Sequence, residues 1–207
     1  MRIVIALFDR FTALDAVGPY EVLRFLPGAE VVFAAAEAGP VRNDAGSLVL
    51  TASAAFADVG SCDVLLVPGG PGSRALLDDD VLLGWIRRMD GVSTWTTSVC
   101  TGSLLLGAAG LLTGLSATTH WGAVDVLESF GATYTAERVV FQGKVVTAAG
   151  VSSGIDMALA LAGRIAGQTA AEAIQLVIEY DPRPPFDAGS PAKAPQAAKD
   201  FLAERIR

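Results

Sequence analysis

The 207-residue chain is 52% hydrophobic and 18% charged, which fits one folded domain with a substantial core and excludes a disordered chain. Its net charge of −7, with no basic run, excludes nucleic acid as the main partner. Two cysteines, Cys62 and Cys100, are too few for a disulfide framework and suit a reducing compartment.

Met1-Arg2 precedes only six apolar residues, Ile3 to Phe8, before Asp9 and Arg10 interrupt, so no secretion signal is expected. The longest apolar stretch, Leu104 to Leu112, falls short of the ~18 residues a membrane span needs. A cytoplasmic protein with no membrane contact is predicted.

Ile3 to Phe8 is a continuous apolar run, the pattern of a strand buried on both faces. Asp15 to Phe25 reads as a helix with Gly18-Pro19 near its first turn, where proline is tolerated. Val31 to Ala35 is a second buried strand, and Val41 to Thr51 a hairpin turning at Asn43-Asp44-Ala45-Gly46. Asp63 to Val67 is a third buried strand, stopped by Pro68-Gly69-Gly70-Pro71-Gly72. Helical segments fill Ser73 to Met89, and Trp95 to Cys100, rich in β-branched and aromatic residues, is a strand.

Ser103 to Ala109 then begins a buried helix, and Ala123 to Phe130 is a short amphipathic helix ended by Gly131. Tyr134 to Phe141 and Lys144 to Ala148 pair across Gln142-Gly143. Ser152 to Ala166 and Thr169 to Tyr180 are helices separated by Gly167. Prolines 182, 184, 185, 191 and 195 mark residues 181–196 as an extended surface segment, and Ala197 to Arg207 closes as a helix. Buried strands alternating with helices predict one domain over residues 1–207, with a mostly parallel sheet covered on both faces. Ligands of such sheets bind beyond the carboxyl ends of the strands, where Cys100, Gly69-Gly70 and Phe8-Asp9 fall.

Cys100 stands where a strand ends and a helix begins, with Ser98 and Gly102 two positions either side. A nucleophile on so sharp a turn needs small neighbours, so Ser98-x-Cys100-x-Gly102 reads as a nucleophile elbow with cysteine in place of serine. The helix N-terminus would favour the thiolate. The alternative is a buried structural cysteine, the reading preferred for Cys62.

Asp15, between apolar neighbours just beyond the first strand, either faces the same crevice or caps its helix. The glycine-rich 68–72 loop lacks the Gly-Lys-Ser/Thr ending of a phosphate loop. It is read instead as offering the Gly70 amide to a reacting group, with Thr101 as a second backbone donor. His120, Trp121, Gly150 and Val151 are candidate pocket residues, and a structural role is preferred for His120 over a Cys–His pair. One histidine and two distant cysteines give no metal cluster.

Leu14-Asp15 with Gly18-Pro19, Pro68-Gly69-Gly70 and Thr97-Ser98-Val99-Cys100-Thr101-Gly102-Ser103 carry a resemblance. It continues through Ala117-Thr118-Thr119-His120-Trp121, Gly154-Ile155-Asp156 and the ending Pro184-Pro185-Phe186 with Ala188-Gly189-Ser190-Pro191. These segments resemble the ThiJ/PfpI superfamily and, within it, the isonitrile hydratases. The resemblance implies a flavodoxin-like α/β/α sandwich (class I glutamine amidotransferase-like), a homodimer, and a site with no metal or organic cofactor. It implies Cys100 as nucleophile, Asp15 as general acid/base, Thr101 as essential neighbour, and an isonitrile as substrate. Thr101 stands where many superfamily hydrolases have histidine, which favours a hydratase over a protease. Two rival readings of Cys100 remain: a redox or stress-response cysteine oxidised to a sulfinic acid beside Asp15, and an enzyme acting on glyoxals.

Overall fold

In the computed structural model, which describes residues 1–205, the first apolar run becomes β1 (Arg2–Ala6), fully buried from Ile3 onward. With no polar side chain to expose, it takes the centre of a sheet. It is flanked on one side by β2 (Glu30–Ala35), reached through α1 (Ala13–Leu23). The expected hairpin is β3 (Gly39–Arg42) against β4 (Val49–Ala52), antiparallel, turned by Asn43, whose carbonyl accepts from Gly46 and whose Oδ1 accepts from Leu48. A short β5 (Ala54–Ala55) then closes that edge of the main sheet.

The chain returns past β1 to form β6 (Val64–Val67) on its other side. The helical stretch that follows divides into α2 (Gly72–Ala75) and α3 (Asp80–Val92), because the Asp79 side chain caps the second by accepting from Val81 and Leu82. Then come β7 (Trp95–Val99) and α4 (Gly102–Ala108). A minor parallel pair, β8 (Ser116–Ala117) and β9 (Thr133–Tyr134), brackets α5 (Val124–Ser129). An antiparallel pair, β10 (Val139–Gln142) and β11 (Val145–Ala148), ends the sheet, followed by α6 (Ser153–Ala166), α7 (Gln168–Val177) and α8 (Gln196–Arg205). The predicted last helix has its final two residues outside the described residues.

The seven-stranded order is β10-β11-β7-β6-β1-β2-β5, parallel except for the β10 edge. This is the expected α/β fold with a mostly parallel sheet. The chain leaves β1 toward β2 and comes back to β6, so the β1/β6 boundary is the switch point where such sheets open a crevice. Among the described residues, no helix is long and apolar enough to cross a membrane.

Two local expectations are corrected. Pro19 lies in the second turn of α1, not near its first, because the helix starts at Ala13. The ring removes a hydrogen bond to the carbonyl four residues back. What holds it is packing: α1 crosses α6 so closely that a Cβ at Gly154 would meet Pro19 Cγ at 3.0 Å. Tyr134 does not open the β10 strand either. Thr135 donates its amide to Ala117, tying this segment to β8, and β10 begins only after the polar run through Arg138.

Candidate active site

Four adjacent strands deliver their carboxyl ends to one place. β7 ends at Val99 and hands on to Cys100, whose φ of +57 is rare for a residue with a side chain. This conformation is held from both sides. The Cys100 amide donates to the carbonyls of Ala148 (3.1 Å) and Ala149 (2.9 Å) at the end of β11. The Cys100 carbonyl accepts from the hydroxyls of Ser103 (3.0 Å) and Thr119 (3.1 Å). Gly102 starts α4 against the end of β6, where a Cβ would penetrate the Val67 carbonyl oxygen. The expected small-residue turn is therefore a packing requirement.

Asp15, the third residue of α1, comes from the β1 side of the switch point and is completely buried. Its Oδ2 accepts the Gly69 amide at 2.9 Å, from the loop after β6, and the Cys100 side chain lies near enough to influence its ionisation. Oδ1 is buried with no hydrogen-bond partner among the described residues. The helix-capping alternative fails on geometry: Thr12 is the N-cap residue, and Asp15 Oδ2 accepts the Gly69 amide of the loop instead. Burial pushes Asp15 up to about 7, partly offset by the Gly69 hydrogen bond and the nearby Cys100 side chain.

Cys100 is 5% exposed, and burial pushes its thiol up to about 12, with the Asp15 charge adding to the rise. The expected resting thiolate is thereby corrected: desolvation and a neighbouring carboxylate outweigh the start of a seven-residue helix. The groups that favour the charged sulfur are the Val151 and Thr101 amides and the Thr101 hydroxyl. Val151 was singled out only as a pocket residue. It follows β11 with a φ of +22, a strained value for a β-branched residue.

Gly70 is also corrected. Its amide does not face the thiol but donates to Thr101 Oγ1 at 2.9 Å. Thr101 Oγ1 also accepts from Ser73 Oγ (2.9 Å), and Ser73 can instead donate to the Gly70 carbonyl (2.8 Å). With two donors aimed at its lone pairs, the Thr101 hydroxyl keeps one proton to offer, to the sulfur or to the Gly70 carbonyl at 3.2 Å. Ser73, fully buried, escaped the sequence reading, as did Ser103 and Thr119. Small hydroxyl residues carry no pattern of their own, and the only available signal was their nearness to the glycine loop, to Cys100 and to His120.

His120 is not paired with Cys100 by any hydrogen bond. Its Nδ1 accepts the Gly122 amide at 3.1 Å, and burial, with Arg74 nearby, holds its pKa below the usual value, so the ring is neutral. It packs on Gly150, where a Cβ would come within 2.9 Å of Cδ2, and tilts against Trp121, which is 53% exposed. His120, Trp121 and Gly150 are thus neighbours, and Val151 follows Gly150 in the chain. Cys62 is buried and far from this cluster in the fold, at the start of β6, with its thiol pushed up to about 11. Among the described residues no three His, Cys, Asp or Glu side chains gather to hold a metal. A cleft of about 630 Å³ over the ends of β1 and β2, lined by Phe8, Arg10, Val41 and Leu82 among others, includes neither Cys100 nor Asp15. The geometry of the buried pair, not the size of that cleft, marks the site.

Such a pair can exchange one proton between carboxyl and thiol, and can present both a nucleophile and an acid to one small electrophile. Comparison with known proteins places the chain in a family. The sequence profile of the DJ-1/PfpI family matches residues 1–164. Isonitrile hydratase from Pseudomonas putida is 43% identical over 205 residues, 99% of this chain and 90% of that protein. A crystal structure of a ThiJ/PfpI family protein from Pseudomonas syringae superposes with a TM-score of 0.92 at 40% identity, over 98% of this chain and 86% of that one.

Proposed function

The chain belongs to the DJ-1/PfpI family, and from that premise we propose that it is an isonitrile hydratase, converting R–N≡C and water to the N-substituted formamide. The observation that carries this reading is near-full-length similarity to the Pseudomonas putida isonitrile hydratase, joined to the buried Asp15–Cys100 pair.

The reaction follows from the pair's proton inventory. In the singly protonated state, Asp15 takes the Cys100 proton as the isonitrile arrives. Protonated Asp15 then gives that proton to the terminal carbon while the thiolate adds to it, forming the thioimidate R–N=CH–S–Cys100. Asp15, again a carboxylate, draws a proton from water as the oxygen adds to the same carbon. Asp15 passes that proton to the nitrogen, giving R–NH–CH(OH)–S–Cys100, and the adduct collapses to R–NH–CHO as the hydroxyl proton returns through Asp15 to the leaving sulfur. One water is consumed and nothing is oxidised or reduced. The Thr101 hydroxyl and the Thr101 and Val151 amides would steady the sulfur while it carries charge. Gly70 acts one step removed, by fixing Thr101.

The wall of His120, Trp121 and Gly150 would receive the R group. The active assembly is a homodimer, and its setting is the cytoplasm. The rival redox reading is disfavoured by a thiol that is almost fully buried and pushed up, since peroxide attacks exposed thiolates. The direct test is N-cyclohexylformamide production from cyclohexyl isocyanide, run beside methylglyoxal as a competing substrate class. Formamide without glyoxal turnover is expected; glyoxal turnover alone would replace this reading.

A further inference from the structure

The turn between β11 and α6, residues 149–152, lies against the nucleophile in a conformation that needs support. Its Ala149 carbonyl accepts the Cys100 amide at 2.9 Å. Val151 sits at a φ of +22, and Gly150 is pressed against the His120 ring. Such a strained backbone persists only where its surroundings over-determine it. The turn's own bonds are local. The Gly150 carbonyl accepts the amide (3.0 Å) and hydroxyl (2.8 Å) of Ser153, and the Val151 carbonyl takes the Gly154 amide only at 3.4 Å.

Arg138 supplies the rest. It stands immediately before β10, and the antiparallel β10–β11 register, continued by one pair, sets it opposite Ala149. Its carbonyl accepts the Ala149 amide at 3.0 Å, where the turn begins. Its guanidinium crosses to the turn's other end. There Nη2 donates to Ser152 Oγ at 3.1 Å, and Nε donates to the Asp156 carboxylate in the first turn of α6. Asp156 is itself fixed, because its Oδ1 accepts the Tyr180 hydroxyl at 2.8 Å from beyond α7. One residue thus grips both ends of a four-residue turn whose first member holds the Cys100 amide.

Energetics separate this role from ordinary structural support. The Arg138 side chain is 50% exposed and that of Asp156 30%, and a pair so open to solvent adds little to global stability. What the guanidinium contributes is geometry, since its planar fork meets a hydroxyl and a carboxylate at once. The turn also carries the Val151 amide, one of the groups that favour charge on the sulfur.

We propose that Arg138 is a positioning residue for the Cys100 elbow, holding the 149–152 turn at both ends so that its backbone stays against the nucleophile. It acts through the turn and not on the reacting atoms. For its effect on turnover, this inference rests on the hydratase reading above.

The test compares the full native chain with Arg138→Gln and with Ser152→Ala, which gives up a single bond at an exposed residue. On each, three things are measured: Tm, backbone amide hydrogen exchange by mass spectrometry, and kcat and KM for formamide formation from cyclohexyl isocyanide. In Arg138→Gln the Tm should move by less than about 4 °C. Exchange should quicken roughly 10-fold or more in peptides covering 149–153 and keep its native rate in β1 and β6. The kcat should fall roughly 10-fold or more with KM nearly unchanged, and Ser152→Ala should show smaller changes of the same kind.

Native exchange at 149–153 in Arg138→Gln would overturn the grip on the turn. Faster exchange there with native kcat would overturn its role in positioning. Faster exchange throughout the sheet with a large drop in Tm would make Arg138 a general scaffold residue and overturn the proposal as well. A native protein that forms no formamide would overturn the hydratase reading, and exchange at 149–153 would still decide whether Arg138 holds the turn.

Discussion

At the scale of single residues, the proposed hydration rests on two groups whose surroundings push both toward their neutral forms. Burial raises Asp15 to about 7 and Cys100 to about 12, so the pair holds one proton across the intervening range. In the proposed mechanism that singly protonated pair is the reactive state, because it can place thiolate and carboxylic acid side by side. The rate should therefore rise as the pH is brought up through about 7, where the doubly protonated pair loses its first proton. In Asp15→Asn, kcat/KM should fall by roughly 10²-fold or more and the limb near 7 should disappear. A pH profile of kcat/KM for both proteins checks this, and the same limb in Asp15→Asn would assign it to another group. Cys100 was legible from the small residues two positions either side of it at a strand-to-helix turn, whereas Asp15, among apolar neighbours, read equally well as a helix cap. The role of Gly70 was misread for a physical reason: a glycine loop advertises close approach but not which group approaches, and here it is the Thr101 hydroxyl.

At the scale of elements, the site is the meeting of four strand ends, and the tightest joint is that between β6 and α4. Gly102→Ala would press a methyl group into the Val67 carbonyl and should cost about 1–3 kcal/mol or more, lowering Tm by several degrees. Gly91→Ala supplies the contrast. It lies exposed in α3, a Cβ there would meet nothing within 4 Å, and alanine is the better helix former. Its Tm should hold or rise, and equal losses in the two variants would show that the joint is not tight. Long apolar strands such as β1 and β6 were readable because burial on both faces leaves no polar residue in them. Pro19 and Tyr134 were misassigned because tertiary contacts decided: a close α1–α6 crossing in one case, a two-residue pairing with β8 in the other. The extended proline-rich segment after Tyr180 was readable as well, because its prolines stop helix and strand alike.

At the scale of the whole molecule, the site is a source of instability. A carboxyl held near 7 in the fold and near 3.8 when unfolded binds its proton more tightly in the native state. Native stability from this group is present below the unfolded value and is lost as pH rises from about 4 to about 7, because the unfolded chain ionises first. The full shift corresponds to a ceiling of roughly 4 kcal/mol. Asp15→Asn keeps an acceptor for the Gly69 amide while removing the ionisation. It should melt higher than the native protein at pH 8, with the gap closing toward pH 4. Melting curves across that range check it, and equal Tm values at pH 8 would contradict a buried, strained carboxylate. Enzymes commonly carry such a local cost where function needs a reactive group.

The most direct measurement of the central claim compares N-cyclohexylformamide formed from cyclohexyl isocyanide by the native protein and by Cys100→Ala at equal concentration. Formamide from the native protein and none above the uncatalysed background from Cys100→Ala is the predicted result. Appreciable turnover by Cys100→Ala would contradict covalent hydration through this cysteine.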